Sequence, residues 1–474
     1  MGYINMKKFN KDKYLKKLKF KKYKRYLYIG IPCILVLLIG IYFAYSKFSV
    51  FKEEEVVRTT VGDFISGDAV IGAYIDGEYS KSIPGKNDGY VVEKIVCDND
   101  ATASWDNDSW GIVLTNLTKR TKCNVYFEKY SNAKVIANLA KTDTVNFATD
   151  DSDNNIRYIG ADPSNYVYFN CSDYNNPTAD TCELWRIIGV FNNVTKGDGS
   201  KENLVKIIRA DSLGSFSWDY KKEGVGTSTN NNGSNDWSDS QLMMMLNPTS
   251  YLKSGYTNSS DIISSGSQQL YSKMGSYYNG TKGCRPATIA SGASFSCTEV
   301  DFTSTGLKND ATRNAIEEVV WNLGGTDAYD TSTASMFYTA ERETTVYTGR
   351  PTIWTGKIGL MYPSDYGYAT SGGTTKDRAA CLAKELFSWS SSDFSDCLEN
   401  DYLDNSSRYE YRWTLVPTAT YAHGVFGVIK SGFVNAIYAS ETYFKVQPVL
   451  FLKSNIFLNT GTGAKSDPYQ LKMQ

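Results

Sequence analysis

The longest apolar block of the chain lies close to its N-terminus. Residues 26–46 carry no charge and are mostly hydrophobic, and eleven Lys or Arg with one Asp occupy the 25 positions before them. A hydrocarbon core of roughly 30 Å needs about twenty helical residues. The block predicts a single transmembrane helix, with the basic leader 1–25 in the cytoplasm and the later residues outside the cell. A cleaved signal peptide is the alternative, because it also joins basic residues to an apolar core.

After a short charged stalk at 47–57, alternating apolar and polar residues predict a small β-sandwich-like module at 58–130. Two such segments, 69–75 and 111–114, are separated by turn clusters rich in Gly, Pro, Asn and Asp. About seventy residues bury only a small core, so a disulfide would stabilise the module. The module could serve as a spacer or as an adhesive domain, and no motif in it indicates a catalytic function. A helix and linker, 131–154, follows.

Beyond the β module the pattern predicts both helices and strands. A short helix, Asn132–Lys141, leads to one large domain at 155–474. Within this domain Ser238 or Asp239 can cap a helix at Leu242–Leu246. Strand-like runs are predicted at 166–169, 184–190 and 204–209. The fold class expected for the chain is therefore α+β, with a transmembrane helix, a small all-β module and a large α+β domain.

Charge separates the leader from the rest of the chain. The leader carries +10 and the whole chain −1, so the later residues carry about −11. A basic leader is attracted to the anionic inner leaflet by roughly 1 kcal/mol for each Lys or Arg. The acidic, Tyr-rich and Asn/Ser/Thr-rich remainder argues for an extracellular fold and against a nucleic-acid partner.

Eight of the nine cysteines lie after the apolar block, in four local pairs. Eight cysteines permit many pairings, and sequence alone cannot choose among them. The clustering favours disulfides between Cys97 and Cys123, Cys171 and Cys182, Cys284 and Cys297, and Cys381 and Cys397. Each would contribute about 3 kcal/mol in the chain-entropy model. Zinc is the competing use, but the chain has no Cys-x-x-Cys motif and only one histidine, His423.

Five stretches of the large domain follow one another in a characteristic order. They are Leu184–Ile188, Asp236–Asn247, Lys357–Met361, Arg412–Pro417 and Val446–Leu452. Together they resemble an uncharacterised bacterial surface-protein domain related to the formylglycine-generating-enzyme (sulfatase-modifying-factor) and C-type-lectin-like fold. The resemblance covers about two thirds of the chain, and the anchor and stalk are similar to those of cell-envelope proteins of gut Firmicutes. Relatives commonly have Arg where this chain has Gln447, which lacks that charge and bidentate geometry.

The resemblance implies that the first and last strands of the domain pair and that the C-terminal strands and loops form a ligand-binding face. Aromatic and small polar residues suit such a face, because Tyr supplies rigid contact area and Asn adapts. The candidate ligand-binding residues are Thr418, Thr420, Tyr421, His423, Phe426, Asn435, Tyr438 and Tyr443. An ordinary solvent-facing hairpin without a ligand is the alternative.

Signals for catalysis or metal binding are few. Formylglycine-generating relatives use a reactive cysteine pair near the C-terminus, whereas this chain has no cysteine after Cys397. Nothing in the sequence pairs any two of the carboxylates Asp393, Asp396, Glu399, Asp401 and Asp404 for glycoside hydrolysis. Oxygen ligands in 150–155 and 399–405 leave calcium as an alternative, although neither segment is an EF-hand. We therefore expect no catalytic residue, cofactor or metal site.

These observations predict a cell-surface protein that displays a lectin-like domain for ligand binding or adhesion and catalyses no reaction. Its partners would be membrane lipid, through the anchor, and an extracellular protein or glycan. An envelope enzyme on the same fold and a purely structural surface protein are the alternatives, because a fold alone does not define a function.

Overall fold

The computed structural model describes residues 69–86, 88–115, 121–219, 232–247, 306–390, 392–405 and 410–473, with the backbone alone at 56–57, 239, 241, 244, 282–286, 297–301 and 405. Strands account for 37% of the structure and helices for 18%. The predicted α+β class, with its transmembrane helix and lectin-like α+β domain, is therefore wrong, and the fold is β-rich. The physical reason is that no described helix exceeds nine residues, whereas runs of β-branched and aromatic residues form long strands.

The predicted membrane location is also corrected. No helix in the part of the chain that the structure describes is long and apolar enough to cross a membrane. The basic leader 1–25 and the apolar block 26–46 lie outside the described residues. We therefore do not retain the single-pass arrangement with a cytoplasmic N-terminus.

The first of two compact units extends from Met1 to Lys129. Its described strands are β1 (Val56–Val57), β2 (Ala69–Ile75), β3 (Glu78–Ser80), β4 (Tyr90–Cys97), β5 (Thr102–Asp106), β6 (Gly111–Thr115) and β7 (Thr121–Lys129). They form a four-stranded sheet in the order β3-β2-β7-β4 and a three-stranded sheet in the order β1-β6-β5. Alternate residues of β7, among them Val125 and Phe127, pack with Ile112 and Leu114 of β6 into a small core.

The second unit, Tyr130–Gln474, contains most of the secondary structure. Its described strands are β8 (Phe147–Ala148), β9 (Ile156–Tyr158), β10 (Tyr166–Phe169), β11 (Glu183–Thr195), β12 (Lys201–Arg209), β13 (Lys282–Pro286), β14 (Cys297–Asp301), β15 (Val319–Asn322), β16 (Ile353–Gly356), β17 (Ile358–Gly359), β18 (Arg412–Pro417), β19 (Gly424–Val428), β20 (Val434–Tyr438), β21 (Val449–Leu452), β22 (Phe457–Thr460) and β23 (Tyr469–Lys472). Its described α-helices are α1 (Asn132–Ala140), α2 (Gln241–Leu246), α3 (Asp310–Ala315), α4 (Ala334–Arg342), α5 (Pro363–Gly367), α6 (Arg378–Leu382), α7 (Ser395–Glu399) and α8 (Tyr402–Asn405). Short 3-10 helices lie at Trp237–Asp239, Leu386–Ser390 and Ser392–Phe394.

A nine-stranded sheet forms the centre of the second unit. Its order is β17-β21-β12-β11-β10-β23-β22, with β9 paired to β11 and β8 to β9. Most residues in the middle of β11 and β12 are buried, as is typical of strands covered on both faces. β10 and β23 pair in parallel, with Val167 opposite Tyr469, so an early and a late strand of the unit meet. Gln447, just before β21, donates from Nε2 to the backbone carbonyls of Arg209 and Ala210 at 3.2 and 2.9 Å.

Three smaller sheets complete the described strands: β15 with β16, β13 with β14, and β18-β19-β20. In the last of these, β19 lies between its two antiparallel neighbours and all five of its residues are buried. This sheet carries the predicted ligand-binding residues.

Disulfides cross-link both units. Three bonds, Cys97–Cys123, Cys171–Cys182 and Cys381–Cys397, confirm three of the predicted pairs. The first joins β4 to β7, and the third joins α6 to α7. The fourth predicted pair, Cys284 and Cys297, lies in β13 and β14, whose side chains are outside the described residues.

The two helices that the sequence predicts, α1 and α2, begin and end close to the expected positions. α1 matches the predicted segment to within one residue and buries Ile136 in the core. α2 begins after Ser240, whose hydroxyl accepts from the backbone N–H of Met243. The predicted cap lies one or two residues too early, because Trp237–Asp239 forms a separate turn that Asp236 caps.

Candidate functional site

The structure brings three of the predicted ligand-binding residues together. The ring centroids of Tyr421 and His423 are 6.1 Å apart, and those of His423 and Tyr438 are 5.1 Å apart. Tyr421 is 62% exposed and Tyr438 is 50% exposed. Large aromatic side chains are more often buried, so adjacent exposed rings are informative. We refer to Tyr421, His423 and Tyr438 as the aromatic row.

Strand pairing places two members of this row side by side. Tyr438 ends β20 opposite Gly424, the first residue of β19. The backbone N–H of Ala439 donates to the carbonyl of His423 at 2.9 Å. His423 and Tyr438 therefore lie at the same end of the three-stranded sheet, and the loop between β18 and β19 supplies Tyr421.

Two buried residues that the sequence interpretation missed fix this loop. The Nδ2 of Asn235 donates to the backbone carbonyls of Thr418, Tyr421 and Gly424 at 2.8–3.3 Å. Arg350 donates from Nε to the Oδ1 of Asn235 at 2.9 Å, and from Nη2 to a further carbonyl of the loop. Asn235 directly precedes the Asp-Trp stretch that the resemblance used, which was the available signal. The loop is thus held in one conformation by side chains from distant parts of the chain.

Two predicted face residues are instead buried, Thr418 at 2% and Phe426 at 0% exposure. The Thr418 hydroxyl lies within hydrogen-bond distance of the Tyr421 and Gly424 carbonyls, so it stabilises the loop. The Phe426 ring meets Phe337 of α4 edge-on at 5.0 Å. β19 is covered on both faces, so its sequence has no alternation that would mark Phe426 as a core residue.

The other three predicted residues have contacts or orientations that the row does not share. Thr420 is exposed, and its backbone N–H donates to the carboxylate of Asp327 at 2.8 Å. Asn435 is three residues from Tyr438 along β20, so its side chain points to the opposite face of the strand. Tyr443 packs edge-on against Tyr411, with ring centroids 4.8 Å apart. Of the eight predicted residues, Tyr421, His423 and Tyr438 are thus the ones whose rings lie next to one another.

The aromatic row carries no formal charge at neutral pH. Burial lowers the pKa of the His423 imidazole below its ordinary value of 6.5. The neutral imidazole and the two phenol rings offer flat apolar faces with polar edge atoms. This arrangement is suited to contacts through ring faces and single hydrogen bonds.

Three of the five carboxylates considered for catalysis have partners within the fold. Hydrogen bonds from Thr375 and the following backbone N–H lower the pKa of Asp396. Burial raises the pKa of Asp401 well above its ordinary range, and its Oδ1 accepts a hydrogen bond from the backbone N–H of Leu403 at 2.8 Å. Asp404 lies 3.4 Å from Nη2 of Arg412. Each of these three carboxylates therefore has a hydrogen bond or an ion pair within the fold.

The segment considered for calcium is bound by cations of the protein itself. Arg378 donates to Asp150 at 2.8 Å, and Arg157 donates to Asp151 at 2.7 Å. Within the described residues, no group of three or more His, Cys, Asp or Glu side chains is placed to hold a metal ion. The carboxylates at 150–151 are therefore members of ion pairs.

A buried cluster of charges, missed by the sequence interpretation, lies against the central sheet. Asp365 accepts from Nζ of Lys206 and from Nη1 of Arg157, the latter at 3.1 Å, and all three side chains are at most 2% exposed. Burial lowers the pKa of Lys206 to about 8. Burial alone would raise the pKa of Asp365, but the two cations hold it below its usual range. The signal in the sequence was a lysine inside the apolar run of β12.

A pocket of about 230 Å³ adjoins this cluster. Its lining includes Lys206 and Tyr362 from the interior, and Tyr338 and Arg342 from α4. Glu341, also on α4, is fully buried, and burial raises its pKa to about 7. The described residues of the second unit therefore present two candidate sites, the exposed aromatic row and this polar pocket.

Comparisons of the chain with family models, with curated proteins and with solved structures found no match. The resemblance to the formylglycine-generating-enzyme and C-type-lectin-like fold therefore stays a prediction. The function has to be argued from the geometry of the described residues.

Proposed function

We propose that this chain is a ligand-binding or adhesion protein without catalytic activity, and that the aromatic row contacts the ligand. The observation that carries the proposal is the exposure of Tyr421 and Tyr438 on backbone that is held rigid from within. The proposed ligand is an extracellular protein or a glycan. The three disulfides support work in an oxidising compartment.

The physical case rests on rigid aromatic contact area. A Tyr side chain offers a large amphipathic surface and loses only two rotatable bonds on binding. Aromatic residues are enriched among the residues that dominate binding energy. Because Asn235 already fixes the loop, the ligand does not have to order it, and less binding energy is lost.

The test compares binding of the whole chain with binding of variants on glycan and extracellular-protein arrays. Tyr421→Ala combined with Tyr438→Ala removes the two exposed rings of the row. Tyr79→Ala is the matched control, because Tyr79 is 59% exposed and lies in the first unit. We expect the double variant to lose at least tenfold in affinity, about 1.4 kcal/mol, and the control to bind as the wild type does.

Two outcomes would contradict the proposal. If the double variant binds a partner as tightly as the wild type, the aromatic row is not the contact surface. If the wild type binds nothing on either array, the alternative of a purely structural protein is the better account.

A further inference from the structure

Three elements of the second unit supply most of the residues that line the pocket beside the buried charges. β11 contributes Phe191 to Thr195, β15 contributes Val320 to Asn322, and α4 contributes Tyr338 and Arg342. A β-bulge in β11 between Phe191 and Val194 places Asn193 in the left-handed region, with φ of 53°. Bulges redirect side chains and are frequent beside binding sites.

The interior end of the pocket contains a lysine with unused hydrogen-bond donors. Lys206 lines the pocket, yet the residue is 0% exposed. An ammonium has three N–H donors, and within the described residues the only hydrogen bond of Nζ goes to Asp365. The ring faces of Phe191, Trp321, Tyr362 and Phe451 lie 4.9, 5.7, 4.5 and 5.6 Å from Nζ. The remaining donors can therefore serve a ligand atom that enters the pocket.

Polar groups nearer the solvent are also uncommitted. The side chains of Asn193, Thr195 and Asn322 make no hydrogen bond to any part of the chain that the structure describes, and all three line the pocket. The Tyr362 hydroxyl bonds both the N–H and the carbonyl of Asn322 at 3.0 Å, which fixes this residue. Two amides and a hydroxyl supply both donors and acceptors.

The charges of the pocket and cluster nearly cancel, and this decides the class of ligand. There are three cations, Arg157, Lys206 and Arg342, and four carboxylates, Asp151, Asp153, Asp365 and Glu341. Because the Glu341 carboxyl has a pKa of about 7, it is ionised only in part at neutral pH. The net charge thus lies between −1 and 0, and little attraction remains for an ionic ligand.

The class of uncharged ligand that fits the pocket best has many hydroxyl groups and an apolar face. The aromatic residues Phe191, Trp321 and Phe451 also line the pocket. Small-molecule sites commonly combine aromatic walls with a few placed polar groups. We propose that the pocket binds one residue of a neutral sugar, with hydroxyls bonded by Asn193, Asn322 and Lys206 and a C–H face against the aromatic wall.

This site shares no residue with the aromatic row, so the proposal can fail or hold independently of the proposed function. The experiment is a calorimetric and saturation-transfer NMR titration of the full chain with glucose, galactose and N-acetylglucosamine. Glucuronate and glucosamine serve as charged analogues of glucose. We expect at least one neutral sugar to bind at least tenfold more tightly than either charged analogue.

Site variants localise the binding. Asn322→Ala is expected to lower the affinity for the sugar by about tenfold, because one buried hydrogen bond is lost. Asn138→Ala, at an exposed asparagine of α1, is the matched control and should bind as the wild type does. The Tyr421→Ala/Tyr438→Ala variant should also bind the sugar unchanged. An unchanged urea midpoint for each variant shows that the fold is intact.

Three results with the wild type or the Asn322→Ala variant would overturn the sugar proposal. They are no binding of any neutral sugar, tighter binding of a charged analogue, and full affinity in the folded Asn322→Ala variant. Loss of sugar binding in the Tyr421→Ala/Tyr438→Ala variant would assign the sugar to the aromatic row and also overturn the pocket as its site.

Discussion

A single lysine within an otherwise apolar strand organises the buried charges of the second unit. Lys206 lies between Val205 and Ile207 in β12, and all three are fully buried. An uncompensated charge at such a site is costly, so the stability of the unit depends on Asp365. The strand could be predicted from its hydrophobic run. Its partner is 159 positions away, so no local pattern could predict the ion pair.

Replacing Asp365 by Asn should destabilise the second unit by about 3–5 kcal/mol, because Lys206 and Arg157 then lose the carboxylate between them. Urea unfolding followed by tryptophan fluorescence measures the change. Asp310→Asn is the control, since the exposed pair of Asp310 and Arg313 on α3 contributes little. Equal midpoints for Asp365→Asn and Asp310→Asn would contradict the structural role of the cluster.

Glu341 makes a pH-dependent contribution of defined sign. Burial raises its pKa from 4.5 to about 7 in the folded chain. Between these values the folded state holds a proton that the unfolded state has released, so stability falls as pH rises through this window. Glu341→Gln should therefore gain stability relative to the wild type between pH 5 and pH 8. The test is the difference in free energy of unfolding between Glu341→Gln and the wild type, measured at pH 5 and at pH 8. A difference that is the same at both pH values would refute the prediction.

At the scale of elements, the sequence predicted those helices and strands whose hydrophobic pattern and flanking residues mark both ends. The strand Tyr166–Phe169 and the helix Asn132–Ala140 agree with prediction to within one residue. The prediction was wrong for β19, which is covered on both faces. Its sequence shows no alternation of apolar and polar residues, so Phe426 was assigned to the surface although it lies in the core. The loop anchor Asn235 could not be assigned either, because its three hydrogen bonds cross 183 to 189 positions.

Asn235→Ala should loosen the loop between β18 and β19. The change removes one donor from each of the carbonyls of Thr418, Tyr421 and Gly424, and a carbonyl that is left buried without any donor costs about 1–3 kcal/mol. The Tyr421 and Gly424 carbonyls keep the Thr418 hydroxyl as a donor. Hydrogen exchange should accelerate at residues 418–424 and stay unchanged in β10 and β23. In the control Asn138→Ala, the loop should exchange at the wild-type rate. Unchanged exchange of the loop in Asn235→Ala would show that the loop does not depend on this residue.

At the scale of the whole molecule, the balance of strand and helix was the property that sequence reasoning misjudged. Helix signals such as those of α1 and α2 are real but short, whereas β11 alone extends over thirteen residues. The order of strands could not be predicted, because the parallel pairing of β10 with β23 joins positions about 300 residues apart. Such long-range pairing depends on the packing of the whole unit rather than on any one segment.

The two units differ in core size, and this difference predicts how each responds to loss of a disulfide. Among its described residues, the first unit has a core of seven buried residues, including Cys123, and the Cys97–Cys123 bond joins two of its strands. Replacing both cysteines by Ala should cost about 3 kcal/mol, a large fraction of the stability of a small domain. Hydrogen exchange should then accelerate throughout residues 69–129 and remain slow in β11 and β12.

The matched variant, Cys381→Ala with Cys397→Ala, removes a bond from the larger unit and should leave 69–129 protected. If the first pair of substitutions left exchange in 69–129 unchanged, its small core would be sufficient without the cross-link.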